Sequence, residues 1–329
     1  MRADIEQLFD DIEKLHVVVV GDVMLDNYWW GDVERISPEA PVPIVSLRKR
    51  ESRLGGAANV ALNCRTLGAK VTLASVIGDD VEGKTLEQLA KNEGIDTSLL
   101  QCCKRTTTTK TRVISRNQQM MRLDDEVTED LATEDEHPFI DMVLRFLQIQ
   151  KPQVLIFEDY NKGVLKENVI NRITEHCREL GIITAVDPKK KNFLAYKNVT
   201  VFKPNLKEVR EGLHIPLTTV DQEEMDHVHA VLQKQLHHSI TFVTLSEKGV
   251  YYSNGDSAII PSHLRNIADV SGAGDTVIAT ASIVYALTKD ARLMAEISNI
   301  AGGLVCEEVG VVPIKRELLK EESLKLLTD

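Results

Sequence analysis

Several features that would place a chain outside an aqueous, reducing compartment are scarce here. Only five of the 329 residues are cysteine: Cys64, Cys102, Cys103, Cys177 and Cys306. The count is odd and no Cys-x-x-Cys pair occurs, which argues against a disulfide framework and a cysteine-based zinc site. No apolar run approaches the roughly 18 residues that cross a bilayer. The opening Met-Arg-Ala-Asp-Ile-Glu-Gln lacks a basic-then-apolar leader. These absences predict a cytoplasmic protein. Positive charge is also in deficit. With 39 Lys and Arg against 50 Asp and Glu, the net charge is -11, which argues against nucleic acid or a membrane surface as partner. No GxGxxG follows the first strand-like run, so a dinucleotide-binding fold has no support. There is no fixed-period repeat and no low-complexity tract.

What is present is an alternation. Short β-branched runs at Val17–Val20, Val71–Val76, Val154–Phe157, Ile183–Val186, Val199–Phe202 and Ile240–Leu245 read as parallel strands buried on both faces. Amphipathic stretches such as Thr85–Asn92 and Glu167–Leu180 lie between them. The pattern predicts an α/β fold: a doubly wound, mostly parallel sheet with helices on both faces. Two segments break the rhythm. Residues 28–50 hold both tryptophans and three prolines, and residues 106–123 are basic and rich in threonine. Together they read as a small β-sheet lid, or else as edge strands and loops. The apolar content of the first also suggests a subunit contact.

The most informative stretch is Asp269-Val-Ser-Gly-Ala-Gly-Asp-Thr276, followed by an apolar run to Leu287. Gly272, Ala273 and Gly274 read as a tight turn that opens a helix. Its free N–H groups and the helix dipole form an anion site. Asp275 at its edge is either a plain helix cap or a base that takes a proton from a hydroxyl attacking the bound anion.

Other small-residue clusters follow strand-like runs. Gly21-Asp22-Val-Met-Leu-Asp26 could aim Asp22 and Asp26 at a polyol, or form a turn with caps. Gly55, Gly56 and Asn59 open a helix that either approaches a ligand closely or packs tightly on a strand. Asn205 and Glu208 share one helical face and either hold a hydrated magnesium or form a capping box. Thr244, Ser246 and Gly249 offer a resting place for a nucleotide. Gly78–Thr85 matches the P-loop pattern, but Asp79, Asp80 and Glu82 would repel phosphate, so a structural turn is expected. The histidines His227, His229, His237 and His238 suggest no ligand set.

In this order the motifs resemble the ribokinase-like (PfkB-type) carbohydrate kinase family. That family has an early substrate carboxylate, Gly-Gly-x-x-Asn, Asn-x-x-Glu and finally Gly-Ala-Gly-Asp. Within it, Gly21–Asp26, Arg35–Pro43, Gly55–Asn59, Ser115–Gln119 and Asp159-Tyr-x-Lys-Gly163 are similar to the heptose 7-phosphate kinases, the kinase half of bifunctional kinase/adenylyltransferases. The departure is Glu158-Asp-Tyr-Asn161, where a small-residue version is usual.

The resemblance implies a single kinase domain over 1–329, with no adenylyltransferase domain in this stretch. It implies ATP and Mg²⁺, allows a monovalent cation such as K⁺, and makes a homodimer through the lid plausible. It implies ATP-dependent phosphorylation of the anomeric hydroxyl of D-glycero-D-manno-heptose 7-phosphate. Asp275 would be the base, with the Gly272–Gly274 amides on the transferred phosphoryl. Asp22, Asp26, Gly55, Gly56 and Asn59 would hold the sugar, and Arg112, Arg116 and Lys162 its phosphate. Lys203, Asn205, Thr244, Ser246, Gly249, Gly272, Gly274 and Asn299 would hold the nucleotide, with Asn205 and Glu208 on magnesium. A kinase of another sugar and a non-catalytic sugar-binding protein remain the alternatives.

Overall fold

The computed structural model describes residues 2–116, 118–217 and 219–328. The strands, in chain order, are β1 (His16–Gly21), β2 (Val23–Ile36), β3 (Pro43–Gly56), β4 (Lys70–Gly78), β5 (Asp96–Cys103), β6 (Thr109–Ser115), β7 (Gln118–Asp125), β8 (Val154–Glu158), β9 (Ile183–Asp187), β10 (Val201–Phe202), β11 (Ile240–Thr244), β12 (Val250–Ser253) and β13 (Ser257–Ile260). The helices are α1 (Arg2–Asp11), α2 (Ala57–Leu67), α3 (Val81–Asn92), α4 (Thr133–Gln150), α5 (Glu167–Leu180), α6 (Leu206–Leu213), α7 (Gln222–Leu236), α8 (Ala273–Thr288), α9 (Ala291–Val305) and α10 (Arg316–Thr328).

Nine strands form one sheet in the order β13-β12-β11-β10-β9-β8-β1-β4-β5. All neighbours are parallel except at the β11–β12–β13 edge. Every residue of β1 is buried. Its valines alternate, Val17 and Val19 facing one core and Val18 and Val20 the other. That two-sided burial is why the run carries no polar alternation. Helices α2, α8 and α9 cover one face, and α4, α5 and α7 the other.

The chain winds outward from β1 in both directions, first to β4 and β5, later through β8 to β11. Between β1 and β8 the carboxyl ends therefore diverge, which is where open α/β sheets bind ligands. The expected strands are present, although β10 keeps only two residues of Val199–Phe202. The turn at Gly78–Thr85 is structural. Asp80 caps α3, with Oδ1 accepting from Gly83 N at 2.7 Å and Oδ2 from Thr107 N at 2.8 Å. Its carboxylate fills the loop that a triphosphate would need. Because the cap lies at Asp80, the helix starts before the expected Thr85.

The two irregular segments do form a separate sheet, β3-β2-β6-β7. β2 begins two residues after β1, and β3 runs directly into α2. The lid therefore grows out of the body on extended chain. Asn117, within the Ser115–Gln119 motif, lies outside the described residues. Among the described residues no helix is long and apolar enough to cross a membrane.

Candidate active site

At the carboxyl ends of β1, β8, β9 and β10, side chains converge under the first turn of α8. Gly272 is its N-cap at φ +79°, a left-handed conformation that suits glycine. The first amides of a helix lack intrahelical acceptors. Here the amide of Ala273 is taken by Val270 O at 3.3 Å, so the neighbouring donors are what the turn offers an anion. A side chain at Gly274 would meet Asp187 Oδ2 at 3.5 Å and Lys203 Nζ at 3.9 Å. The turn thus faces a cation and a carboxylate.

Asp275 is buried. Asn59 Nδ2 donates to its Oδ2 at 2.6 Å, and Tyr160 Oη donates to its Oδ1 at 2.8 Å. Burial raises its pKa to about 6. The two donors work against that rise, Asp187 adds to it and Lys189 opposes it. A carboxylate tuned that close to neutrality is suited to general-base work. Tyr160 stays protonated, because burial and the adjacent Asp275 raise its pKa far above the usual value.

Beneath Asp275 the register lines up one row. Gly21 sits opposite Glu158, and Glu158 opposite Asp187. Lys203 Nζ reaches Asp187 Oδ2 at 2.8 Å, and Lys189 Nζ reaches Asp187 Oδ1 at 3.1 Å and Glu208 Oε1 at 2.5 Å. Burial would raise the pKa of Asp187, but these two lysines outweigh it and keep it ionised. Glu158 is fully buried, and neither of its oxygens has a hydrogen-bond partner among the described residues. Burial, then Asp187 and Asp275, hold it protonated well above the usual carboxyl range.

Several sequence-based roles change. Asp22 does not face a hydroxyl: it is buried, and its oxygens accept from the backbone N–H groups of Tyr160, Lys162 and Val164 at 2.8–3.1 Å. It anchors the loop that carries Tyr160. Asn59 uses its side-chain amide on Asp275. Asp26 is paired with Arg112 at 2.5 Å, and the space where a Gly55 side chain would stand is filled by Asp26 Oδ2. Gly56 leads straight into α2 as its N-cap, with its missing Cβ directed at Asp22 O. Lys162 Nζ pairs with Glu126 at 2.7 Å.

Arg116 sits at the tip of the ribbon, exposed. It is six residues beyond Lys110, about 20 Å along the strand, so within one chain it does not join the others. Asn205 and Glu208 form the capping box of α6. Thr244 lies beside Asn205 through a backbone bridge. Ser246 is exposed, and Gly249 closes its turn with Gly249 N donating to Ser246 O. Asn299 donates to Pro261 O at 2.8 Å, a contact that ties a loop to α9.

Tyr160, Asp187, Lys189 and Glu158 were not anticipated as site residues, and Lys110 was weighed only as one of several basic lid residues. For those four the one available signal was position, since each stands at or just past the carboxyl end of a strand.

Residues 14–316 match the pfkB family carbohydrate kinase description. The chain belongs to the pfkB family of carbohydrate kinases. As such it is an ATP-dependent sugar kinase. It is 40% identical over 316 residues to the bifunctional protein HldE of Methylobacillus flagellatus, covering 94% of this chain and 63% of that one. It is 37% identical over 296 residues to HldE of Helicobacter pylori, covering 89% and 63%. The chain thus spans about 63% of the length of these relatives. Among solved structures, the kinase resembles phosphofructokinase-2 from Escherichia coli in complex with potassium, at TM-score 0.79 and 16% identity over 96% and 100% of the two chains. Ribokinase of Arabidopsis thaliana complexed with ribose and ATP gives TM-score 0.72 and 16% identity over 95% and 99%. These likenesses show the fold: a ribokinase-like sheet with its small lid.

Proposed function

We propose that the chain phosphorylates the anomeric hydroxyl of D-glycero-D-manno-heptose 7-phosphate, giving the 1,7-bisphosphate. Identity to HldE proteins between 34% and 40% along nearly the whole chain, together with the motifs around Gly21–Asp26, Arg35–Pro43 and Asp159–Gly163, supports that substrate. The observation that carries the chemistry is Asp275, buried at a helix N-terminus and held by two donors.

Asp275 takes the proton of the sugar hydroxyl. The sugar oxygen then bonds to the γ-phosphorus, the bond from that phosphorus to the bridging oxygen breaks, and ADP leaves. The amides of the α8 turn, with Lys203 beside them, stabilise the negative charge that develops on the transferred group. Asp26 and Arg112, paired on lid strands β2 and β6, hold the sugar phosphate from the lid.

The oxygen donors Asn205 and Glu208 suit magnesium. Among the described residues no three His, Cys, Asp or Glu side chains form a metal shell. Magnesium would therefore arrive on the nucleotide phosphates, with Asn205 and Glu208 supporting it through water. K⁺ dependence is an open part of the proposal, tested by replacing K⁺ with Na⁺. All five cysteines are free, which fits a cytoplasmic setting. The lid exposes Ile36, Val42, Leu47, Met120, Met121 and Leu123, which supports a homodimer through it.

The test is ATP consumption with Mg²⁺ against heptose 7-phosphate, fructose 6-phosphate, ribose and adenosine. Turnover on heptose 7-phosphate alone is expected. Turnover on another member keeps the mechanism and discards the substrate. In parallel, Asp275→Asn should lower kcat by at least about a hundredfold with sugar binding retained. A near-wild-type rate would sink the base assignment.

A further inference from the structure

Tyr160 joins three parts of the molecule: the end of β1, the start of α8 and the lid. Its backbone N–H donates to Asp22 Oδ2 at 2.8 Å, which fixes the loop to the end of β1. Its hydroxyl donates to Asp275 Oδ1 at 2.8 Å. Two lysine ammonium groups lie 5.4 Å from its ring centroid, Lys189 from the body and Lys110 from lid strand β6. Lys110 is opposite Asp26 in the lid register and is half-buried. It is the cation through which the lid reaches toward the base.

We propose that Tyr160 is a positioning residue for the phosphoryl transfer: it aims Asp275 at the sugar hydroxyl, and Lys110 couples the placement of the lid to that aim. The inference rests on Asp275 being the base. The groups facing Asp275 are Asn59 from α2, Tyr160 from the loop after β8, Glu158 from β8, Asp187 and Lys189 at the end of β9, and Lys203 after β10. Of these, Asn59 and Tyr160 donate directly to its oxygens. Removing the Tyr160 hydroxyl leaves the ionised carboxylate with one donor fewer, so Asp275 must hold its proton to higher pH. Among the described residues the contact from Lys110 toward Asp275 is the Tyr160 ring, which is the route the proposal assigns to the coupling.

The experiment is the pH dependence of kcat for wild type, Tyr160→Phe, Lys110→Met and the double variant, with Asp275→Asn as reference. Tyr160→Phe should lower kcat at pH 7 about tenfold and move the acidic limb up by about one unit, with KM for ATP little changed. Lys110→Met should move the limb in the same direction by less, and should add nothing in the Phe background. A structural role alone would change expression or melting and leave the limb in place.

A Tyr160→Phe profile that superimposes on wild type, while Asp275→Asn is inactive, overturns the inference and leaves the base assignment standing. A Lys110→Met shift of equal size in both backgrounds overturns the lid coupling. An active Asp275→Asn overturns the base assignment and this inference with it. Should Tyr160→Phe fail to fold, Lys110→Met alone decides: an unmoved limb rejects the coupling.

Discussion

The side-chain amide of Asn59 lies 2.6 Å from the carboxylate of Asp275, a residue 216 positions later in the chain. The contact joins the start of α2 to the start of α8. Asn63 continues it, accepting from Thr276 Oγ1 at 3.0 Å and from Ile314 N at 2.9 Å through one oxygen. One turn of α2 thus braces the first turn of α8 around Asp275.

From this contact follows a pH prediction. With Asp275 titrating at about 6, wild-type kcat should rise with pH through that value as the base ionises. Asn59→Leu removes a donor to the ionised form, so the midpoint should move up by about one unit. A kcat profile measured from pH 5 to 9 checks it, and an unmoved or lowered midpoint contradicts it.

Lys203 is nearly inaccessible, 1% exposed, and its ammonium pairs with buried Asp187. Lys203→Met leaves that carboxylate with Lys189 alone. A broken buried pair costs about 3 kcal/mol or more. Denaturant unfolding should show that loss, and kcat should fall as well because the cation beside the α8 turn is gone. Stability equal to wild type would mean that Asp187 takes up a proton or a water when Lys203 is removed.

Gly163 ends the loop that carries Tyr160. Its φ is +87°, and an added Cβ would stand 2.0 Å from Glu129 O. Backbone strain and that contact together predict that Gly163→Ala costs at least about 2 kcal/mol and lowers kcat by displacing Tyr160. A thermal melt and a rate measurement suffice. A variant that keeps both values would show that the loop is not rigidly seated.

Acid should destabilise the protein through buried neutral histidines. His16 bonds Thr72 Oγ1 at 2.9 Å, and burial, then Lys70, lowers its pKa from 6.5 to about 4. The folded state resists the charged form, so stability is full above the unfolded value and falls as the pH drops from 6.5 toward 4. The depression corresponds to about 3 kcal/mol over that window. Unfolding at pH 7 and pH 4.5 should differ less in His16→Gln than in wild type. Equal differences would assign the acid sensitivity to other groups.

The sheet was legible because a strand buried on both faces has to be a continuous apolar run, and Val17–Val20 or Val154–Phe157 can hardly be anything else. The lid was legible as the place where that rhythm fails. The turn that carries Asp275 was legible because three small residues before a carboxylate and an apolar run mark the start of a helix. What stayed hidden was lateral. Glu158, Asp187 and Lys203 form a row only because β8, β9 and β10 happen to be neighbours, and nothing in the spacing of residues 158, 187 and 203 encodes that. Asp22 and Asp26 look alike in sequence, yet one is surrounded by backbone N–H groups and the other meets an arginine. The difference lies in the loop at 160–164, which closes over the first and not the second.

The lid pairing has a consequence for how the chain is made. β2 and β3 are adjacent in sequence, but β2 also pairs in parallel with β6, whose partner residues lie 84 positions further along. During synthesis the first hairpin emerges with one edge uncovered. It waits while β4, α3 and β5 are produced, and only after residue 115 can that edge be closed. Trp29 and Trp30 lie on that waiting strand, next to Val113 and Ile114 in the finished sheet. A ribosome stalled between these points would hold out an open, aromatic strand edge, the kind of surface that chaperones bind and that neighbouring chains can pair with.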